Sequence, residues 1–395
     1  MKDRITYLIT FLPFLWVFSG LLAYDSDKHY VVICITSFVL SIKYLEIKNI
    51  VTTLNHNKFI YIILLAAILA ILTKILVGQS SSILRILIAT SLICLTLNNK
   101  NLSKIKVNLW WLSSVGSFTS LTYIAFNKYT LDLVRTDWSI NPIPYTTMVA
   151  SLSTISLYYL LFSAKRKIQI ISLLSYISGI SGIMLSETRG TLLALACASI
   201  LLLLSFLYHC NCKKKIFSLI LLLLFFISST AYLNSDIIES RIEKTQYELT
   251  QISNGNYSTS IGLRLSMWKA GLELAKNPTL IGLGDAHIEL KQRLADEGKI
   301  PQNVVKWPHY HNDYISSLVK RGVLGFIMLI TLLSFPVYCY FKNKSEYTFI
   351  ALGISTVYAV CSITDIPLFQ AGPLIMYLVI MIILCSNSYP NEIKT

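Results

Sequence analysis

The sequence predicts an all-α integral membrane protein with about twelve transmembrane helices, and three observations support this fold class. Of the 395 residues, 54% are hydrophobic and only 14% are charged, whereas soluble globular proteins carry roughly 25% charged residues. The apolar residues occur in blocks of about 20, the length that a helix needs to cross the hydrocarbon of a bilayer. Basic residues cluster in every second connection between these blocks, which is typical of cytoplasmic loops.

The apolar blocks give the predicted spans in chain order. They lie near 5–23, 30–45, 58–77, 81–97, 107–126, 143–164, 168–186, 190–208, 216–233, 323–341, 346–363 and 373–386. The first block is not expected to be a cleaved signal peptide, because it lacks a clear small-residue cleavage site and further spans follow it.

The net charge of +14 suggests nucleic-acid binding, but its distribution favours a topological explanation. If the N-terminus is cytoplasmic, the alternate connections that should be cytoplasmic are the basic ones. Their basic residues are Lys43, Lys48, Lys100, Lys104, Lys106, Lys165, Arg166, Lys167, Lys213, Lys214, Lys215, Lys342 and Lys344. The other short connections contain few Lys or Arg residues, so the pattern predicts that both termini are cytoplasmic.

One long polar segment between the ninth and tenth spans is predicted to lie outside the cytoplasm. Apolar residues at helical spacing indicate amphipathic helices at 236–252, 263–276 and 286–297. A segment of this size is too small for an enzyme domain with its own core. We therefore expect any chemistry where the segment meets the outer ends of the spans. The predicted division is 1–233 for spans one to nine, 234–313 for the partly helical loop, and 314–395 for the last three spans and the C-terminus.

A histidine-rich stretch, His-Tyr-His-Asn-Asp-Tyr at 309–314, begins the tenth span and is followed by Gly322 and Gly325. A histidine can take a proton from a hydroxyl near neutral pH. The glycines allow close approach of backbone or ligand. The alternative is that His309 and His311 simply lie at headgroup level.

Two arginines are candidates for binding phosphate. Arg189 lies in a short outer loop, Ser-Glu-Thr-Arg-Gly, where the membrane topology does not require a positive charge. Arg264 lies on the second loop helix, with Trp268 one turn further on the same face. A guanidinium can bind a phosphate through two parallel hydrogen bonds. The alternatives are a snorkelling arginine for Arg189 and a solvated one for Arg264.

Other polar features give weaker signals. Asp25 and Asp27 form an Asp-x-Asp element that can bind a divalent metal, but a solvated acidic loop explains them as well. Lys74 and Arg85 interrupt apolar spans, and they fit either a lipid phosphate or snorkelling. The His-Cys-Asn-Cys stretch at 209–212 is too tightly spaced for a typical metal site. No cysteine falls in the long loop, so no disulfide framework is predicted.

These motifs together resemble the family of O-antigen ligases and related O-antigen polymerases. The spacing from His311 through Gly322 to Gly325 is similar to the family signature. The sequence around Arg189 is similar to its arginine motif, and the run from Arg264 to Gly284 looks like its large loop. The resemblance covers residues 150–365 by motif and the whole chain by topology.

The resemblance implies a GT-C-like, lipid-dependent glycosyltransferase of a Gram-negative inner membrane, with its site facing the periplasm and with no metal or cofactor. The implied donor is O-antigen linked to undecaprenyl diphosphate, and the implied acceptor is lipid A–core oligosaccharide. Arg189 and Arg264 would bind the diphosphate, and His311 would be the general base of an inverting transfer. Four further residues are expected to support the site: Asn312, Tyr310, His309 and Asp365.

Other functions share parts of this pattern. An O-antigen polymerase and an enzyme that glycosylates protein serines would use the same donor and differ in the acceptor. A transporter of polyprenyl-linked sugars would need a charged pathway and often shows repeated halves, and no convincing repeat is visible. A structural membrane scaffold would leave the motifs unexplained. The late position of the long loop favours a ligase, with acceptor contacts expected in the outer loop 127–144, among Tyr129, Arg135, Asp137 and Trp138.

Overall fold

The computed structural model describes residues 2–24, 27–42, 47–209, 228, 232 and 235–386, and in these ranges it contains helices and no strands. The α-helices of the described residues are, in chain order, α1 (Lys2–Val17), α2 (Gly20–Tyr24), α3 (Asp27–Ser41), α4 (Ile47–His56), α5 (Phe59–Val77), α6 (Ser81–Thr96), α7 (Asn99–Val107), α8 (Leu109–Ala125), α9 (Pro142–Phe162), α10 (Arg166–Leu185), α11 (Arg189–His209), α12 (Ser235–Ser253), α13 (Ser260–Leu274), α14 (His287–Asp296), α15 (Asp313–Lys342), α16 (Glu346–Thr364) and α17 (Ala371–Leu384).

Within the described ranges, seven stretches are long and apolar enough to cross a membrane: Tyr7–Tyr24, α5, α9, α10, α11, α15 and α16. The pair α6 and α7, bent by 107°, makes an eighth if it counts as one span. The predicted all-α multi-pass membrane protein is thus confirmed, but the count of twelve is not. Helices α3, α8 and α17 occupy predicted spans yet have only 15, 17 and 14 residues. The predicted span 216–233 lies outside the described ranges, apart from two isolated residues.

Helix α9 forms the centre of the bundle. Every residue from Tyr145 to Leu161 is buried, because α8, α10, α11, α16 and α17 all pack around it. Many of its side chains are small and hydroxylated, which lets neighbouring backbones approach closely, as is common in membrane bundles. At Gly179 on α10, for example, an added Cβ would overlap the hydroxyl of Ser153.

Helices α12, α13 and α14 lie close to the three helices predicted for the long loop. They sit at the end of the bundle where α11 and α15 begin and α16 ends, which we call the loop end. Part of this segment has a small core of its own, separate from the main core. Its buried members are Met267, Ala270, Ala295, Ile300 and Val304. This core holds α13, α14 and the segment after α14 together, and we call the three loop helices the cap.

The motif glycine Gly322 joins this cap to α15. Its backbone has φ 68° and ψ −162°, which interrupts the helix. The stretch 279–283 fills the gap: the amide of Val323 donates to the carbonyl of Thr279 at 3.1 Å, and the amide of Leu283 donates to the carbonyl of Val319 at 2.9 Å. A Cβ on Gly322 would overlap the Thr279 carbonyl oxygen. The stretch 279–283 and the glycine motif of α15, which are far apart in the sequence, therefore form one structural unit.

Candidate active site

A cavity of about 610 Å³ lies at the loop end, between the membrane helices and the cap. The α8–α9 connection, the α10–α11 loop, α12, α13 and the end of α16 all contribute to its wall. Its basic residues are Lys128, Arg135, Arg189, Arg241, Lys244 and Arg264. Its acidic residues are Asp132, Glu187, Glu248 and Asp365. Six basic and four acidic side chains leave an excess of two positive charges, which suits an anionic ligand.

Arg189 is placed by the tight connection between α10 and α11. Glu187 takes a left-handed conformation with φ 59°, so the chain reverses within three residues and α11 begins at Arg189. The next residue, Gly190, packs against α16, where an added Cβ would lie 2.6 Å from the hydroxyl oxygen of Thr364. The first turn of α11 thus comes next to Asp365. The free amides of a helix N-terminus favour an anion at this point.

The guanidinium of Arg189 is held from α12. It donates to the Thr245 hydroxyl and lies 3.5 Å from a carboxylate oxygen of Glu248. The Glu248 side chain is only 2% exposed. Its second oxygen accepts a hydrogen bond from the amide of Ile261, in the first turn of α13, at 3.2 Å. Glu248 therefore connects Arg189 to the helix that carries Arg264. No sequence motif marked Glu248.

Arg264 faces the same cavity from α13 and is half-buried. Burial lowers the pKa of its guanidinium, Asp365 and Glu248 oppose this effect, and Arg189 adds to it. Within the described part of the chain, the guanidinium makes neither a hydrogen bond nor an ion pair. Its donors are consequently available to a ligand. The structure thus brings the two arginines singled out in the sequence to one cavity.

His311 and Asp365 form a pair beside the arginines. The Nδ1 atom of His311 is 3.1 Å from Oδ1 of Asp365, and the two side chains are 15% and 5% exposed. Asp365 lines the cavity, and His311 lies directly behind this residue, in contact with its carboxylate. If Nδ1 carries the proton and donates to Asp365, then Nε2 is the basic atom. His311 itself has a left-handed backbone, with φ 47°, which aims its ring towards the end of α16.

Asn312 and Tyr310 hold the histidine segment in place. The Asn312 side chain caps α15 by accepting from the amide of Ile315 at 3.0 Å, and it donates to the carbonyl of Ile363 at 3.0 Å. Tyr310 is fully buried, and its hydroxyl lies 2.9 Å from Nδ1 of His287 on α14. The side chains of Asn312 and Tyr310 bond to these partners and not to the ring of His311. Both fix the backbone on either side of it.

His309 lies against His311, with 4.3 Å between the ring centroids. Burial, with a contribution from His311, lowers the pKa of His309 to about 4. Burial also lowers the pKa of His287 to about 3, and the nearby charges of Lys320 and Lys291 act in the same direction. Both rings are therefore neutral at neutral pH. Sequence reasoning missed His287, which lies outside every motif.

The weaker sequence candidates lie elsewhere. Asp27 forms an ion pair with Arg85 at 3.5 Å and accepts a hydrogen bond from the Ser82 hydroxyl at 3.2 Å. The other candidates, Asp25, Cys210 and Cys212, lie outside the described residues. Within the described ranges, no three His, Cys, Asp or Glu side chains are grouped in a way that could hold a metal ion. In the outer loop, Tyr129, Arg135 and Trp138 line the cavity, whereas Asp137 is not in its lining.

Fold and site together define a multi-pass membrane protein with a positively charged cavity at one end of its bundle. Residues 174–330 match the family model for O-antigen ligase. The chain is 26% identical over 215 residues to an O-antigen ligase of Escherichia coli K12, and 27% identical over 229 residues to an uncharacterized protein of Haemophilus influenzae. These alignments cover 53% and 56% of this chain, and 50% and 57% of the two relatives. These matches support membership of the O-antigen ligase family.

Proposed function

We propose that this protein transfers O-antigen polysaccharide from undecaprenyl diphosphate to lipid A–core oligosaccharide, at the periplasmic face of a Gram-negative inner membrane. The observation that carries the proposal is the convergence at one cavity of Arg189, Arg264 and the Asp365–His311 pair. These residues come from separate segments of the chain, and each suits one part of a glycosyl transfer from a diphosphate.

The arginines suit the donor. A sugar linked through a diphosphate to a lipid carries two negative charges, and the cavity has an excess of two positive charges. As the bond between the anomeric carbon and the phosphate oxygen breaks, negative charge builds up on the leaving diphosphate. Guanidinium groups positioned in advance stabilise that charge. Arg189 and Arg264 fill this role without a metal ion, and the N-terminus of α11 adds to the positive potential.

A neighbouring cleft suits the lipid part of the donor. It has a volume of about 360 Å³ and shares Arg189, Arg241 and Glu187 with the cavity. Its wall also contains four apolar side chains of α10, α11 and α12, namely Met184, Leu192, Ile238 and Ile242, and two polar ones, Thr245 and Gln246. A polyprenyl chain that entered this cleft would place its diphosphate against Arg189.

The His311–Asp365 pair suits the acceptor. Asp365 accepts the hydrogen bond from Nδ1, so Nε2 of His311 receives the proton of the attacking core-sugar hydroxyl. The hydroxyl oxygen forms a bond to the anomeric carbon as the bond to the diphosphate breaks on the opposite face. The configuration at that carbon is therefore inverted. The products are the ligated glycan and undecaprenyl diphosphate, with the proton on His311.

The test is ligation by the His311→Ala variant in cells that lack their own ligase, with lipopolysaccharide visualised on a gel. We expect long-chain lipopolysaccharide to disappear while the protein and the polymerised lipid-linked donor persist. His29→Ala is the matched control, because His29 is an exposed histidine away from the cavity. Undiminished ligation by His311→Ala would mean that another group, such as His309, accepts the proton.

An O-antigen polymerase is the main alternative, since it would use the same donor at the same cavity. The similarity to the Escherichia coli ligase favours ligation. The experiment above separates the two, because loss of a polymerase would remove the polymerised donor itself. A glycan found on protein serines instead of on lipid A–core would indicate an oligosaccharyltransferase.

A further inference from the structure

The cavity contains more arginines than the two assigned to the diphosphate, and most of its acidic groups are already paired. The pairs are Glu187 with Arg241, Glu248 with Arg189, and Asp365 with His311. Arg135 has no carboxylate partner among the described residues. Its guanidinium makes one long hydrogen bond, 3.5 Å from Nη1 to the backbone carbonyl oxygen of Glu187. Most of its five N–H donors are thus available to a ligand.

The position of Arg135 is electrostatically unfavourable in the protein alone. Burial, together with the charges of Arg241, Arg264 and Arg189, lowers the pKa of its guanidinium to about 10, and Asp365 acts in the opposite direction. Several guanidinium groups that repel one another around one cavity imply a ligand with more than one negative charge.

The loop that carries Arg135 is tied down at several points. The indole of Trp138 donates to the carbonyl of Leu133 at 3.2 Å, and the hydroxyl of Tyr123 lies 3.0 Å from that of Ser139. The carbonyl of Asn127 accepts from the amide of Leu133 at 3.0 Å. These contacts fix the position of Arg135 at the cavity. Its loop is a segment of the chain separate from those that carry Arg189 and Arg264.

We propose that Arg135 is a third diphosphate-binding arginine, which contacts the pyrophosphoryl group of the donor and gives the site its preference for a diphosphate over a monophosphate. This inference rests on the proposed function, because it takes the same donor. With Arg189 and Arg264 it surrounds the ligand from three separate elements. Such a cage gives each phosphate at least one guanidinium partner, and charge-assisted hydrogen bonds of this kind are the strong ones.

The test measures binding to full-length protein in lipid nanodiscs by microscale thermophoresis, with undecaprenyl diphosphate and undecaprenyl monophosphate as separate probes. The variants are Arg135→Gln and Arg135→Lys. The matched control is Arg85→Gln, because Arg85 is an arginine outside the cavity that already pairs with Asp27. We expect Arg135→Gln to bind the diphosphate about tenfold more weakly or worse, the size of a lost charged hydrogen bond. Arg135→Lys keeps the charge and should be intermediate.

The ratio of the two affinities distinguishes a ligand contact from a structural role. Arg135→Gln should lose most of the preference for diphosphate, whereas a merely structural change would weaken both probes equally and overturn the inference. Binding equal to wild type would also overturn it. If wild-type protein shows no preference for the diphosphate, the proposed function fails, and this inference fails with it.

Discussion

Asp365 lies where the end of α16, the cavity and His311 meet, and its two carboxylate oxygens have different surroundings. Oδ1 pairs with Nδ1 of His311 at 3.1 Å, while Oδ2 is buried without a hydrogen-bond partner among the described residues. The carboxylate is also the acid that opposes the lowered pKa values of Arg135 and Arg264. It therefore acts on both parts of the site: it holds the ring of His311, and it offsets part of the positive charge of the arginines.

We expect Asp365→Asn to slow glycan transfer by about a hundredfold, the scale of a general-base contribution, because the amide no longer holds His311 in the required tautomer. Binding of undecaprenyl diphosphate should be retained or become tighter, since a negative charge next to the arginines is removed. Initial rates with purified protein and binding in nanodiscs measure the two effects separately. Asp137→Asn is the control, because Asp137 is an exposed acid outside the cavity lining. Weaker binding with an unchanged rate would contradict this role.

At the level of secondary-structure elements, the interrupted helix α15 fixes the cap to the bundle. The break at Gly322 exposes backbone groups of α15 in the middle of the helix, and the stretch 279–283 pairs with them. The same cap carries Arg264 on α13 and the buried contact between His287 and Tyr310. Loss of this junction would displace one arginine relative to the other.

We expect Gly322→Ala to destabilise the protein by more than about 2 kcal/mol, because a Cβ there combines a strained φ with overlap of the Thr279 carbonyl. The measurement is thermal unfolding of the detergent-solubilised protein, followed by tryptophan fluorescence. Gly255→Ala is the control: Gly255 also has a positive φ, 79°, but open space around it. It therefore measures the cost of a positive φ without overlap, about 1 kcal/mol. Equal destabilisation of the two variants would show that the junction is unimportant.

The sequence predicted the elements better than their connections. Hydrophobic periodicity identified α12, α13 and α14 because each has one face that packs and one face in solvent. Arg189 was identified because membrane topology does not require a positive charge in its loop. Arg264 was identified because it shares a helix face with Trp268 and because the family resemblance implied its role. Sequence reasoning did not identify Glu248, Glu187 or the role of His287, because each acts through a partner far away in the chain. The 107° bend between α6 and α7 was missed as well, since a bend leaves the apolar content unchanged.

For the whole molecule, the distribution of charged groups in the cavity bears on which donor glycans the protein accepts. Under the proposed function, the charged groups would converge on the part of the donor that all lipid-linked glycans share, namely the diphosphate. A volume of about 610 Å³ is far too small for a polysaccharide, so nearly all of the glycan must extend beyond the cavity. Selection among glycans would then depend on the sugars next to the diphosphate. Those sugars would then lie near the outer-loop residues Tyr129, Asp132 and Thr136, which line the cavity.

We therefore expect one protein to ligate structurally unrelated donor glycans at rates within about tenfold of each other, a difference of about 1.4 kcal/mol in the transition state. The protein would be expressed with different O-antigen pathways in cells that lack their own ligase. The long-chain lipopolysaccharide formed would then be compared, normalised to the lipid-linked donor present. Strict dependence on a single repeat would contradict this prediction. It would mean that the outer loop between α8 and α9 recognises the glycan, and substitutions at Tyr129 or Thr136 should then change the preferred repeat without weakening binding of undecaprenyl diphosphate.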